Sequence, residues 1–553
     1  MGDTSTSLAG LRGSVADSLF ELRVLREAGI VGPLRPDKAL KIGTTFLRWG
    51  ASPATGVATG AIHHPHEIAV ADERGSLTWE RLHRRSNALA HSFAEMGIGP
   101  GDGVGIMCRN HRGFVEATLA AAKIGASALY LNTMFAGPQL VEVTRREAPK
   151  ALVHDEEFTE LLGGVDDSVA RIVAWADGDS EAVTLEQLIA AGEETDHKPP
   201  PDKPRFVILT SGTTGTPKGA QRSSPDGLLA LAALIDKIPF RSRDAIVIAA
   251  PLFHSWGFFH FVMSLPTAAT MVLRRRFDPE GTLQAVQESK AQVLAAVPVM
   301  IQRILALPDE TLARYDLSSL RITSLSGSAL PGELAIAWMD RFGDSVYNLY
   351  GSTEVAYATV ATPEDLRAAP GTAGKPPRGT QLRIVDDEGR EVPQGEVGRI
   401  FVGNEMSFEG YTGGGGKEII DGLLSSGDVG HIDEAGRLFI DGRDDEMIVS
   451  GGENVFPREV EDLLAEHDGV VEVAVIGVED EQFGQRLKAF VVTVEGADVS
   501  ADDLKAHVKA NLAGYKTPRE VEFLDELPRN STGKVLKKDL AESGEDSEEE
   551  ATS

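Results

Sequence analysis

From Ile68 onward the apolar residues follow two alternating periods. A short run, "IAVAD", precedes "LTWERLHRRSNALAHSFAEMG", where Trp79, Leu82, Leu89, Phe93 and Met96 recur at helical spacing. Thr78 is suited to cap that helix and Gly97 to end it. "GVGIMC", "ALYLN" and "KALVHD" read as short buried strands, separated by helical stretches such as "FVEATLAAAKIGA". Alternation of this kind predicts an α/β fold, with parallel-rich sheets layered by helices in a large N-terminal domain over 61–441. The proline-rich connector "HKPPPDKP" (197–204) leads directly into the strand "RFVIL". After about residue 375 helices thin out, and "QLRIVDDEGREVPQGEVGRIFVGN" predicts a small β subdomain with Asp, Gly and Pro turns. Residues 442–540, with the helical "PREVEDLLAEH" and the strands "VEVAVIGV" and "KAFVVTV", predict a small α+β C-terminal domain. The tail 541–553 is acidic and is expected to be disordered.

Residues 1–60 precede this regular pattern as a helix-containing extension. Its segment "DKALKIGTTFLRWG" (37–50) mixes Lys38, Lys41 and Arg48 with Phe46, Leu47 and Trp49. Such a helix can make a weak peripheral contact with a membrane surface. The favoured expectation is that its apolar side packs on the main body.

Composition narrows the classes. At 553 residues, three or four units of ~150 residues fit, and 42% hydrophobic with 25% charged residues is ordinary for a globular chain. The formal net charge of -30 argues against nucleic acid or anionic lipid as the main partner. The single cysteine, Cys108, excludes an internal disulfide and a Cys-based metal cluster, and a reducing, cytoplasmic setting is expected. No signal pattern and no transmembrane run of about 18 apolar residues is found. "MGDTST" fits the minimal myristoylation pattern at Gly2, but the pattern is short and Asp3 adds a negative charge, so an unmodified terminus is expected.

The candidate chemistry centres on "ILTSGTTGTPKG" (208–219). A phosphate cradle needs convergent backbone N–H groups, glycines for close approach and a cation, and this stretch offers all three. It is not a Walker A loop, because Pro217 precedes Lys218 and Gly219 follows it, and no GxGxxG follows a strand. On composition alone, a polar surface loop competes with a phosphate site.

The run Thr210-Ser211-Gly212-Thr213-Thr214-Gly215, continuing through Lys218, resembles the phosphate loop of the adenylate-forming superfamily of acyl-CoA synthetases, adenylation domains and luciferases. Further segments resemble that superfamily's motifs in the same order, from about residue 65 to 540. The resemblance is greatest to bacterial-type fatty-acyl-CoA synthetases. It implies that "NLYGSTE" (348–354) supplies Tyr350 against adenine beside Gly351, Thr353 for phosphate and Glu354 for Mg²⁺, with Gly327 and Ser328 of "SGSALPG" on the other side of adenine. It implies further that Asp428 of "SSGDVG" and Arg443 of "GRDDEMI" hold the ribose, and that Lys534 of "LPRNSTGKVLKK" is the catalytic lysine. His254 of "PLFHSWGFF" matches the residue at the mouth of the thiol channel, although a histidine satisfied at a strand end is nearly as good a reading. The family rotates a mobile small domain about a hinge, here Asp445, withdrawing Lys534 and bringing in Gly451 and Gly452 of "SGGEN". Glu446 departs from the usual Asp next to that hinge.

The implied substrates and cofactors are ATP, Mg²⁺, coenzyme A and a carboxylic acid. Amino-acid-activating relatives carry an acidic residue after the Phe253 position, whereas this chain has His254-Ser-Trp-Gly-Phe-Phe, so a fatty acid is expected. The expected function is an AMP-forming fatty-acyl-CoA synthetase. Two alternatives stand beside it: a ligase loading a free carrier protein, and a non-catalytic nucleotide-binding or acyl-adenylate-binding protein.

Overall fold

Two parallel-rich sheets form the body of the protein. The computed structural model describes residues 5–201, 205–210, 218–222, 227–406, 408–412, 416–446, 448–450, 453–480, 484–530 and 533–541. One sheet of eight strands runs Thr359–Ala361, Val346–Tyr350, Ile322–Leu325, Val293–Ala296, Ala245–Ile248, Thr270–Leu273, Ile68–Asp72, Gly75–Thr78, antiparallel only at its two edges. The other, of seven strands, is parallel from Phe206–Thr210 to Ala170–Trp175 and antiparallel where Lys218–Arg222 and Phe408–Tyr411 extend it. The parallel strands are buried along most of their length, as helices on both faces require.

The helix read from spacing spans Trp79–Glu95, and the Thr78 hydroxyl accepts from the Arg81 N–H at 3.2 Å. Gly97 turns the chain out with φ +78°, a conformation glycine reaches without steric cost. Trp79, Leu82, Leu89 and Phe93 are buried, while Met96 is exposed at the helix end.

A third, antiparallel sheet contains Gln381–Val385, Gly398–Gly403, Leu423–Ile432 and Ile419–Ile420, with Leu438–Arg443 paired to Leu423–Ile432. A fourth sheet, from Ile448–Ser450 to Glu520–Phe523, packs on the helices Pro457–Ala465 and Ala501–Asn511.

The extension folds into three helices, Ser5–Glu27, Pro36–Trp49 and Pro53–His63. The middle one departs from the expected full packing of its apolar side. Trp49 is buried with Ala54 and Ala58, but Leu40 and Leu47 are 71% and 90% exposed. The helix presents one face to its neighbour, and these two leucines lie off that face. No helix of the described residues is long and apolar enough to cross a membrane.

Candidate active site

The carboxyl ends of the parallel strands converge on one cavity of about 1370 Å³, as open α/β sheets lead one to expect. Val346–Tyr350 ends at the cavity, and the chain then turns sharply. A Cβ on Gly351 would sit 2.4 Å from the Ala356 carbonyl oxygen, so this turn admits only glycine. Ser352 Oγ accepts from the N–H groups of Glu354 (3.2 Å) and Val355 (3.3 Å) and donates to Glu354 Oε2 at 2.9 Å. The Tyr411 hydroxyl donates to Glu354 Oε1 at 2.6 Å. Each carboxylate oxygen thus has one fixed partner and keeps a second acceptor site. That is a hard oxygen donor of the kind Mg²⁺ takes, so the residues present fit the ion. Thr353 lies beside it, with Oγ1 3.2 Å from Ser255 Oγ.

Asp428 and Arg443 are brought together by register, because they are opposed residues on the antiparallel strands Leu423–Ile432 and Leu438–Arg443. Arg443 Nη1 is 3.3 Å from Asp428 Oδ1, and the Tyr350 hydroxyl donates to Asp428 Oδ2 at 2.5 Å. Burial pushes the Asp428 carboxyl up, against the opposing pull of Tyr350, Arg443 and Lys534. Burial, and then the Asp428 charge, push the Tyr350 phenol well above its ordinary value, so it stays a neutral donor. Gly327, with φ +93°, and Ser328 line the same cavity.

Lys534 comes from the small domain and lines this cavity too. Its turn is fixed by backbone: Lys534 N–H donates to Asn530 Oδ1 and Asn530 N–H to the Lys534 carbonyl, both at 2.9 Å. Gly533 has φ +79°, and a Cβ there would lie 2.3 Å from Val299 Cγ1 on the large-domain helix Pro298–Leu305. The lysine-bearing turn therefore docks directly on the large domain. Lys537 pairs with Glu446 at 3.1 Å and Glu461 at 2.9 Å, and the paired carboxylates raise its pKa against the effect of burial.

The residues expected to form a phosphate loop, Ser211, Gly212, Thr213, Thr214 and Gly215, lie outside the described residues, as do Gly451, Gly452 and the side chains of Thr210, Lys218 and Asp445. The flanking backbone is described: Thr210 and Lys218 are register partners at the ends of two adjacent strands. Gly219 N–H donates to Thr412 Oγ1 at 3.1 Å, and Thr412 Oγ1 donates to Glu147 at 2.6 Å. Tyr411 and Thr412 thus tie the strand leaving the loop to the Glu354 carboxylate, and sequence reasoning assigned neither of them. The available signal was the polar "GYT" in a glycine-rich stretch.

His254 occupies the N-cap of the helix Ser255–Thr267 and lines the cavity, with its ring centroid 4.4 Å from that of Phe253. Burial lowers its pKa to about 4, so it is neutral at pH 7. From there the helix presents Phe258, Phe259, Val262 and Pro266 to an apolar end of the cavity. A separate buried group, Cys108, His111 and Asp155, has metal-like proximity. Both His111 nitrogens are engaged there, Nδ1 accepting from Gly113 N–H at 3.0 Å and Nε2 facing Asp155 Oδ1 at 2.6 Å, so it reads as a satisfied core histidine.

Comparison with known proteins agrees with this geometry. The family described as AMP-binding enzyme matches residues 58–412, and the AMP-binding enzyme C-terminal domain matches 459–534. A feruloyl-CoA synthase of Amycolatopsis sp. is 34% identical over 486 residues, 86% of this chain and 95% of the relative. The fatty acid–[acyl-carrier-protein] ligase ScoC of Streptomyces coeruleorubidus is 32% identical over 494 residues, 87% of this chain and 94% of the relative. The solved anthranilate CoA ligase AuaEII with anthranoyl-AMP superposes with a TM-score of 0.81 at 25% identity, covering 89% of this chain and 97% of that one. The chain therefore belongs to the AMP-binding enzyme family, the adenylate-forming superfamily, as an AMP-forming acid–CoA ligase that works with ATP, Mg²⁺ and coenzyme A.

Proposed function

We propose that the acid is an apolar one, with fatty acids as the preferred class, and that the site residues act as follows. A carboxylate oxygen attacks the α-phosphorus of ATP, the bond to the bridging oxygen breaks, and pyrophosphate leaves with that electron pair. Tyr350, Gly327, Ser328 and Gly351 hold the adenine, Asp428 and Arg443 the ribose, and Thr353 and the 210–218 loop the phosphates. Glu354 holds Mg²⁺, which supplies positive charge at the phosphate oxygens. Lys534 neutralises charge developing between acid and phosphate, an effect worth roughly 3 to 4 kcal/mol of barrier for one preorganised donor. In the second step the thiol sulfur of CoA attacks the acyl carbonyl, AMP leaves, and the thiol proton is released. His254, neutral at pH 7, adds no charge at the channel mouth. Rotation about Asp445 exchanges Lys534 for Gly451 and Gly452 between the steps.

One observation carries the substrate reading. The cavity that holds Glu354, Asp428 and Lys534 at one end is continued by the apolar face of the helix Ser255–Thr267, and the position after Phe253 is a histidine instead of a carboxylate. An ammonium group would find no counter-charge at that position. A second reading, transfer to a free carrier protein, is favoured by the likeness to a fatty acid–carrier ligase. Pyrophosphate release over fatty, aromatic and amino acids, with CoA or a phosphopantetheinylated carrier as acceptor, tests both. Turnover confined to amino acids would overturn the substrate class, and transfer to carrier alone would overturn CoA as acceptor.

A further inference from the structure

The family match begins at residue 58, yet the cavity does not end there. Val31, Leu34, Ile42 and Phe46, all from the extension, line it together with Leu231 and Val262 of the large domain. Val31, Leu34 and Phe46 are 40%, 37% and 47% exposed, as are other apolar groups facing the same space, such as Leu228 and Val262. Single exposed apolar residues need no explanation, but a contiguous set facing one cavity does.

The extension is built to hold that place. Val24, Leu25 and Ala28 are buried, Ser242 N–H donates to the Ala28 carbonyl at 2.7 Å, and Arg23 pairs with Asp236 at 3.1 Å. Gly56 brings the helix Pro53–His63 against the helix Ser255–Thr267 so closely that a Cβ would lie 2.6 Å from Leu265 Cβ. Residues 30–46 are thus suspended between two anchored segments, over the apolar end of the cavity. The helix Ser255–Thr267 lines the cavity from Ser255 to Pro266. At ~1.5 Å rise per residue that path is ~17 Å long, room for roughly a dozen methylene steps.

We propose that residues 30–46 form the distal wall of the acid-binding site, so that the extension selects acids whose apolar body is long enough to reach it. This rests on the acid-activating reading of the same cavity. A short or compact acid fills only the proximal part beside His254, and gains nothing from the extension. A long-chain acid buries its far end against Val31, Ile42 and Phe46.

The test compares laurate with butyrate in pyrophosphate release by the full chain, for the native protein, Val31→Trp and Phe46→Ala. The native enzyme is expected to favour laurate. Each variant should lower the laurate-to-butyrate ratio of kcat/KM, by tenfold or more for Val31→Trp, since one methylene of misfit already costs about tenfold or more. An unchanged ratio in both variants overturns the proposal, as does a native preference for butyrate. A laurate analogue with a terminal diazirine gives a second measurement that needs no variant. It should label a peptide from residues 30–46, and labelling confined to other parts of the chain overturns the wall. Native protein that releases pyrophosphate with no acid at all would sink the acid-activating reading instead.

Discussion

Truncating Lys534 to Ala separates the two half-reactions. The turn that carries this lysine is held by its own backbone, through the two bonds between Lys534 and Asn530 and the close packing of Gly533 on Val299. The side chain is exposed, so its removal leaves no cavity, and the melting temperature should not move. Loss of one preorganised charge at the reacting phosphate costs roughly 3 to 4 kcal/mol, or a few hundred-fold in acyl-AMP formation. Lys534 is also one of three groups that oppose the upward push of burial on Asp428. Without it the Asp428 pKa rises further, and the pH below which ATP binding weakens should move upward. ATP–pyrophosphate exchange reads the first step, and thioester absorbance from supplied acyl-AMP and CoA reads the second. A loss confined to exchange agrees with the assigned role. Equal losses in both steps would refute it, because a lysine withdrawn by rotation has no part in the second.

Three further outcomes follow from the geometry. Tyr411→Phe removes a bond to the Glu354 carboxylate worth about 1.5 kcal/mol or more, so the Mg²⁺ concentration for half-maximal pyrophosphate release should rise about tenfold; an unchanged titration removes Tyr411 from that role. Gly60→Ala adds a Cβ 2.5 Å from the ring of the fully buried Trp79; overpacking of about 1–3 kcal/mol exceeds the ~1 kcal/mol gain in helix propensity, so urea denaturation should show a net loss, and a gain refutes the tight fit. His260 is fully buried with its pKa lowered by burial to about 4, so the unfolded chain binds the extra proton between pH 6.5 and about 4. Stability should therefore fall across that window as pH drops, by up to about 3 kcal/mol for this group, and His260→Phe should flatten the slope in denaturation midpoints.

The fold was legible where chain order and spatial order coincide. Period alone marks Ile68–Asp72, Trp79–Glu95 and Ala151–Asp155, because a buried strand or a one-sided helix writes its environment into its own residues. The placement of candidate residues was legible where a position needs a residue type in a fixed local context, as with Gly351 at its tight turn or Asp428 opposite Arg443. Tyr411 escaped because its role depends on a partner 57 residues away, a pairing that only the sheet edge creates. The same reason hid the lining role of Val31 and Phe46, whose neighbours come from elements some two hundred residues downstream. The middle helix of the extension shows the converse, since an apolar face in sequence says nothing about how much protein exists to cover it.

The short strand Phe408–Tyr411 closes the edge of the seven-stranded sheet and delivers Tyr411 and the following Thr412 in succession. One hydroxyl holds the Glu354 carboxylate, and the next accepts from the Gly219 N–H on the strand Lys218–Arg222. Mechanically, this makes the edge a tie-rod between two parts of the cavity wall: a slip of one residue in its pairing would swap the side of the sheet each hydroxyl faces and release both at once. Insertions or deletions between Phe408 and Thr412 are therefore intolerable in a working enzyme, even though no atom of that strand needs to meet the reacting bond.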